Sequence, residues 1–298
     1  MKILFIIESR AQHMMDCYSD DRLMAEHLSR GHDVWASEPI DLVVNEGTLY
    51  VHAYRYHRQE TSISFIDPAQ HRVNDFDFIY FRAMPPVEKD VLLATYLMND
   101  VNIPICNAPA AIRNLNEKLN ALQFASFMPP TLISAHPEDI LAFAGKVGWP
   151  LVLKPLDGFQ SKGVLKIDTA EEMPVITQLM MAQPYLKEVE KTGSKRVFIL
   201  KGKFIGAISF LPDLGDFRTN FGRVPSYAAT SLSDSEALAC QEIGAHLLKE
   251  GVSLAALDFI DNYLLEINIT CPGGIPEYDK QYGVKLEAII VDGLISRK

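Results

Sequence analysis

The chain has 298 residues, 48% of them hydrophobic and 22% charged, with a formal net charge of −10. That length suffices for about two domains with a sizeable core, and the composition is that of a soluble globular protein. The negative charge argues against nucleic acid as a partner, and no apolar run is long enough to cross a membrane. Four cysteines, Cys17, Cys106, Cys240 and Cys271, show neither a CxxC nor a His-paired spacing, which argues against a disulfide framework or zinc site and points to a reducing cytoplasm.

Lys2 to Ile7 reads as a central parallel strand, apolar on both faces; the run is too short for a signal peptide and meets Glu8 at once. Asp20 is expected to N-cap a helix carrying Leu23, Met24, His27 and Leu28 that stops at Gly31, and Val34 to Ala36 begins the next strand. This β-loop-α-β opening is how doubly wound domains start, and ligands bind beyond the strand C-termini of such sheets. Arg10, His13 and Asp16 in that loop are therefore weak substrate-contact candidates, since polar side chains on an exposed loop are the simpler reading. Leu42 to Tyr54 reads as a hairpin turning at Asn45-Glu46-Gly47. Phe78 to Phe81 is another buried strand. Arg82 at its C-terminal end is suited to hold a carboxylate bidentately. A helix follows from Val87 to about Met98, then a short strand at Ile105 to Asn107 and a helix opened by Pro109.

Near Met128-Pro129-Pro130 the pattern restarts. Thr131 to Ser134 is strand-like, and Pro137 to Val147 is helical up to Gly148. Leu151 to Lys154 is a buried strand ending in a lysine. A loop with glycines at both ends, Gly158 and Gly163, joins it to a strand over Val164 to Ile167. Such a loop can cover phosphates with backbone N–H groups, although neither GxxxxGK[ST] nor GxGxxG is present. An unpaired buried ammonium is costly, so Lys154 is expected to have an anionic partner, either a carboxylate or a phosphate. Met181 to Leu186, Arg196 to Leu200 and Phe204 to Leu211 are further strands. Leu211 to Thr230 is a long polar connection bearing Asp216, Arg218, Asn220 and Arg223, and long loops of this kind are usually functional or disordered. Ser233 and Glu236 form a capping box for a helix to about Lys249.

Asp258 to Thr270 reads as a β-hairpin. Leu257 and Phe259 share one parity, as do Leu265, Ile267 and Ile269 on the second arm, which directs each set to one face. Asp258, Glu266, Asn268 and Thr270 then face the other way. Bringing Asp258 opposite Glu266 requires an odd loop such as Asp261-Asn262-Tyr263. Two carboxylates and an amide oxygen converge on rigid sheet in that arrangement, hard ligands that suit Mg²⁺ held with a nucleotide phosphate. An ordinary amphipathic hairpin with a solvated face has the same alternation.

Taken together, these residues resemble the ATP-grasp ligases, most closely the bacterial glutathione synthetases, over nearly the whole chain. Asn116-Glu117-Lys118 is similar to the family's Asn-Glu-Lys, whose lysine contacts the nucleotide. Leu153 to Gly158 matches Leu-Lys-Pro-Leu-Asp-Gly, so Lys154, Asp157 and Gly158 join the ATP site by resemblance. Gln183, Tyr185 and Leu186 lie in a segment similar to the one lining the adenine pocket. Lys195-Arg196-Val197 resembles the run whose arginine faces phosphate and acyl group, and Gly215 to Asn220 resembles Gly-Glu-Thr-Arg-Gly-Asn. Asp258, Glu266 and Asn268 occupy the positions of the magnesium ligands.

The resemblance implies an α/β (α+β) ATP-grasp fold with an N-terminal doubly wound (pre-ATP-grasp) substrate domain over residues 1–120. A central lid subdomain over 121–190 and a C-terminal catalytic subdomain over 191–298 follow. It implies a Mg-ATP-dependent carboxylate–amine ligase working through an acyl phosphate. The reaction is glutathione synthesis from γ-glutamylcysteine and glycine, or that of a relative with an altered substrate. The cofactors are ATP and two Mg²⁺ ions, with Mn²⁺ able to substitute, and the partners are amino-acid or dipeptide substrates, with a homo-oligomer, dimer or tetramer, expected by analogy. Arg196, Arg218 and Asn220 are the expected catalytic groups. Several departures bear on the substrate. The covering loop is Phe159-Gln160-Ser161-Lys162 where the family has glycines, and Phe221 to Pro225 is bulkier than the family's stretch. Cys271-Pro272-Gly273 replaces a Ser-Pro-Thr that helps bind the incoming amino acid, and Arg82-Ala83-Met84-Pro85-Pro86 lacks a charged pair. A non-catalytic nucleotide-binding descendant is the alternative reading.

Overall fold

The computed structural model describes residues 1–11, 19–60, 62–158, 161–213, 215–219 and 226–296. His13, Asp16, Cys17, Phe159, Gln160, Asn220 and Phe221 to Pro225, singled out above, lie outside the described residues.

Three sheets follow one another along the chain. The first is built from β1 (Lys2–Ile7), α1 (Ser19–Ser29), β2 (Asp33–Ser37), β3 (Leu42–Asn45), β4 (Thr48–Gln59), β5 (Ser62–Arg72), β6 (Phe78–Arg82), α2 (Lys89–Leu97), β7 (Ile105–Cys106) and α3 (Pro109–Asn114). Its centre is parallel, β2-β1-β6-β7, with β4 added antiparallel to β2 and carrying β3 and β5. The residues of β1 from Ile3 to Ile7 are all buried, as a strand covered on both faces requires. The expected hairpin at Glu46-Gly47 forms, but β4 runs on to Gln59 and pairs with β5 in a long arm that the sequence reading did not assign.

The second sheet holds β8 (Leu132–Ser134), β9 (Leu151–Pro155), β10 (Leu165–Ile167) and β11 (Met180–Pro184), all antiparallel in the order β10-β9-β11-β8, with α4 (Pro137–Val147) packed on one side and α5 (Val189–Thr192) following. It has a small core of its own around Ile140, Leu151, Leu153 and Ala182.

The third is β12 (Ser194–Leu200), β13 (Lys203–Leu211), β14 (Ser226–Ala229), β15 (Leu254–Ile260) and β16 (Tyr263–Asn268), antiparallel in the order β14-β13-β12-β15-β16. The polar connection after Leu211 thus ends in an edge strand, β14, rather than remaining a loop up to Thr230. Helix α6 (Asp234–Lys249) starts at the expected capping box: Ser233 Oγ accepts from Glu236 N and Glu236 Oε2 accepts from Ser233 N. Two closing helices, α7 (Ile275–Tyr282) and α8 (Leu286–Ile295), went unassigned in the sequence reading.

Those helices join the first and third sheets. Phe5 and Tyr80 from the first sheet, Phe198 and Ile208 from the third, and Leu286, Ile290 and Val291 from α8 share one apolar core. Asn107 adds a polar joint: its side chain donates to Leu254 O and Ile269 O at 2.7 Å and accepts from Ser253 N and Leu254 N. Among the described residues no helix is long and apolar enough to cross a membrane, and Cys106, Cys240 and Cys271 are free thiols.

Asp20 is not the N-cap expected of it. It lies inside the first turn of α1, and its buried carboxylate pairs with the equally buried Arg82.

Candidate active site

A cavity of about 540 Å³ opens between the second and third sheets and reaches the N-terminal end of α1. The hairpin of β15 and β16 forms one wall. Asp258 stands opposite Glu266, as expected, but by a different construction. Asp261 and Asn262 alone make the turn, at φ of 47° and 67°, left-handed values these side chains tolerate in a two-residue hairpin loop. The odd residue is absorbed by a β-bulge between Asp258 and Phe259, since Phe259 pairs with Leu264 while Asp258 pairs with Glu266. The bulge switches the parity of the second arm. Leu264, Ile267 and Ile269 are core, whereas Leu265 lies on the cavity face with Glu266 and Asn268, which corrects its expected place in the core.

Arg196 on β12 faces this wall. Its Nε and Nη2 donate to Asp258 Oδ1 and Oδ2 at 2.8 and 2.6 Å, and Nη1 donates to Gly273 O at 3.2 Å. Asn268 Nδ2 donates to Asp258 Oδ2 and Ala256 O, which leaves its amide oxygen as an acceptor for a cation. Burial, and then the negative charge of Asp258, push the Glu266 carboxyl above the usual carboxylate range. An added cation relieves both effects, so the donor set suits Mg²⁺. Among the described residues no cluster of three His, Cys, Asp or Glu is placed to hold an ion alone. Phosphate oxygens and water must then complete the shell of any ion held here.

Two lysines face the carboxylates. Lys118 Nζ lies 3.9 Å from Glu266 Oε2 and donates to Gly158 O at 2.5 Å. Lys154 Nζ donates to Gln183 Oε1 at 2.8 Å, so its direct protein partner is a neutral amide and not a carboxylate, which leaves phosphate as the anion expected of it. Burial lowers its pKa to about 8, opposed by Glu266 and Asp258 and reinforced by Lys118. Gln183, itself buried, is fixed from behind by donating to Thr131 Oγ1. The motif carrying Lys118 is held to the hairpin by its glutamate. Glu117 Oε1 accepts from Ile269 N, Thr270 N and Thr270 Oγ1, while Asn116 Oδ1 accepts from Lys118 N and Leu119 N. Glu117 was part of the quoted motif, yet its structural task is visible only once the hairpin is in place.

The remaining expected residues divide. Gly158, Tyr185 and Leu186 line the cavity with Val152 and Leu265, a largely apolar slot of the kind a planar base fills, whereas Asp157 is exposed and does not line it. The chain leaves β9 at Pro155, and the turn that carries Gly158 inward carries Asp157 outward. Tyr185 OH donates to Glu190 Oε1, and its ring meets Phe217 edge-on at 5.8 Å. Arg218 lines the cavity while paired with Asp216 at 3.0 Å, a contact that holds the Asp216 carboxyl down at about 2.

Arg82, expected to grip a substrate carboxylate, lies behind the cavity wall. It is 2% exposed, bonded to Asp20, and Nη2 donates to Pro272 O at 2.9 Å and to Cys271 Sγ at 3.5 Å. It therefore fixes the turn after β16. Asp20, Cys271 and Gly273 line the cavity, while Pro272 turns its carbonyl toward Arg82. Glu277 and Leu265, which also line it, were not anticipated. Glu277 carries no local signal, and Leu265 was hidden by the bulge.

The family model for the prokaryotic glutathione synthetase N-terminal domain matches residues 1–113, and that for the prokaryotic glutathione synthetase ATP-grasp domain matches residues 117–283. The glutathione synthetase of Gloeobacter violaceus is 33% identical, with 99% of this chain and 97% of that protein covered. That of Anaplasma centrale is 32% identical, covering 89% of this chain and 88% of that protein. Among solved structures, the macrocyclase MdnC of Microcystis aeruginosa bound with its precursor peptide MdnA superposes with a TM-score of 0.69 at 16% identity, covering 99% of each chain. D-alanyl-alanine synthetase A of Vibrio cholerae superposes with a TM-score of 0.62 at 15% identity, covering 99% of this chain and 97% of that one. At these identities the structural likeness carries the fold alone.

Proposed function

The chain belongs to the prokaryotic glutathione synthetase family and is an ATP-dependent ligase with the ATP-grasp fold, and we propose that it joins the carboxylate of γ-glutamylcysteine to the amine of glycine. The observation that carries this reading is a single cavity with Lys118 and Lys154 on one side and Asp258, Glu266 and Asn268 on the other. Phosphoryl transfer to a carboxylate needs alignment and charge neutralisation more than a nucleophile from the protein.

In this reading the nucleotide base sits against Val152, Tyr185, Leu186 and Leu265. Its phosphates run toward Lys118 and Lys154, with Gly158, Ser161 and Lys162 also lining the cavity. Glu266, Asp258 and Asn268 would hold Mg²⁺, two ions in the full site and Mn²⁺ as a substitute. The metal would offset phosphate charge as the terminal phosphoryl group moves to the acid. Arg196, fixed by Asp258, directs positive charge at the acyl oxygen, and Arg218 adds to it from the connection that also carries Asn220. The amine then displaces phosphate from the acyl phosphate. The turn from Cys271 to Gly273 borders the acceptor end, and Arg82 holds that turn from behind. The first sheet serves the acid substrate, the second is the lid and the third carries the chemistry. We also take the protein to act as a cytoplasmic homo-oligomer, dimer or tetramer, which size-exclusion chromatography with light scattering tests.

The deciding experiment is ADP release measured with γ-glutamylcysteine, glycine and Mg-ATP, each omitted in turn. Release that requires all three supports the assignment. Release only with another acid and amine keeps the ligase and overturns the substrate pair.

A further inference from the structure

Five acidic side chains line the cavity: Asp20, Glu117, Asp258, Glu266 and Glu277. Four have partners. Asp20 pairs with Arg82, Asp258 with Arg196, Glu266 lies 3.9 Å from Lys118, and Glu117 accepts from the backbone and hydroxyl of the 269–270 segment. Glu277 differs. Its carboxyl bonds to its own backbone N–H, but forms no ion pair or hydrogen bond with another side chain among the described residues.

Its position narrows the purpose. Glu277 projects from the first turn of α7, just beyond the 271–274 turn. Arg196 spans the two halves of the site there, gripping Asp258 with one edge and Gly273 O with Nη1. Glu277 thus follows the turn that the ligase reading sets at the acceptor end. Burial raises its carboxyl above the usual range. The charges of Arg196 on β12 and Arg22 on α1 oppose that rise, and Asp279 on α7 adds to it. A half-buried carboxylate that faces a cavity, and on which Arg196 and Arg22 act through space without an ion-pair contact, is matched by a cationic group of a ligand.

Resting on the ligase reading above, we propose that Glu277 receives the ammonium group of the amine substrate and takes one of its protons before attack. The amine reaches the site as R–NH₃⁺ and is not a nucleophile in that form. Transfer of one proton to the Glu277 carboxylate leaves R–NH₂ and a neutral carboxylic acid. The freed nitrogen lone pair forms the C–N bond at the acyl phosphate carbon. The C–O bond to phosphate then breaks, its electron pair leaves with the phosphate, and the second N–H proton goes to that phosphate or to water. The products are the amide and inorganic phosphate.

The test uses the full-length enzyme with γ-glutamylcysteine and Mg-ATP, and compares glycine with hydroxylamine as acceptor. Hydroxylamine is largely uncharged near neutral pH and captures an acyl phosphate as the hydroxamate without a base. Glu277→Gln is expected to lower glycine-dependent peptide formation about 100-fold, to raise the KM for glycine, and to abolish the acidic limb of its pH profile. Hydroxamate formation stays near the wild-type rate, which also reports an intact fold, and Glu277→Asp recovers part of the peptide activity. Peptide formation by Glu277→Gln at the wild-type rate with an unchanged pH profile overturns the proposal, as does equal loss of both products. Absence of hydroxamate from the wild-type enzyme instead defeats the acyl phosphate reading, and this proposal with it.

Discussion

Arg196 grips both oxygens of Asp258, with Nε on Oδ1 at 2.8 Å and Nη2 on Oδ2 at 2.6 Å, so the two carboxylates of the hairpin are not equivalent. Asp258 is neutralised by a guanidinium in bidentate contact. Glu266 has Lys118 at 3.9 Å, with a weaker attraction from Lys154. The burden of binding a cation therefore falls on Glu266.

Replacing Glu266 by Gln is expected to reduce ADP formation by at least about 1000-fold, on the scale of several kcal/mol for metal charge stabilisation. The fold should be unharmed, because the side chain faces the cavity and its charge is already disfavoured there. Steady-state ADP release and a thermal melt together check this. Retained turnover removes Glu266 from the metal site.

The bulge in the hairpin makes neighbouring leucines opposites. Leu264 is fully buried in the core, and Leu264→Ala should cost about 2–5 kcal/mol. Leu265 lines the cavity, so Leu265→Ala should leave the melting temperature close to wild type while raising the KM for ATP. Reversed outcomes would mean that the three-residue loop is correct after all.

Arg82 and Asp20 are each 2% exposed and bonded to one another. Arg82→Ala removes the guanidinium that pairs with a buried carboxylate, an expected loss of about 3–5 kcal/mol. Adding Asp20→Asn to it should restore part of the loss. Chemical denaturation of the two single variants and the double variant measures the coupling. An undiminished stability with a raised KM for the acid substrate would instead return Arg82 to the binding surface.

His27 is fully buried in α1, its ring nitrogens 2.8 Å from His32 Nδ1 and 2.9 Å from Tyr80 OH. Burial first, then the nearby His32 and Arg30, lower its pKa to about 3. The folded value lies below that of the unfolded chain, so unfolding takes up a proton at intermediate pH. The contribution is complete above about pH 6.5 and is lost as pH falls toward about 3, at about 1.4 kcal/mol per pH unit. Melting temperatures between pH 7 and 5 should fall in the wild type and fall less steeply in His27→Gln. Identical slopes would assign the acid sensitivity to other groups.

Features whose cause is local were legible in the residues. The parity of Leu257 and Phe259, the box of Ser233 and Glu236, the turn at Glu46-Gly47 and the strand that carries Lys154 each need only neighbours in the chain, and each formed. The pairing of Asp258 with Glu266 was also readable, because both arms of a hairpin are local. Its loop was not, since a three-residue turn and a two-residue turn with a bulge satisfy the same alternation and differ only in which leucine packs against the core.

What no local pattern carries is the partner of a charge. Arg82 at a strand end reads as a substrate clamp until α1 brings Asp20 against it. Lys154 reads as paired with a carboxylate or a phosphate, and β11, aligned beside β9, supplies the Gln183 amide where a carboxylate would stand. Glu277 carries no signal in the sequence, and only the placement of α7 brings it to the cavity. Side-chain periodicity decides which face a residue occupies, because the backbone repeats every two or 3.6 residues. The long-range packing of sheets and helices decides what stands opposite that face, and so whether a charge is a strut, a ligand or a base.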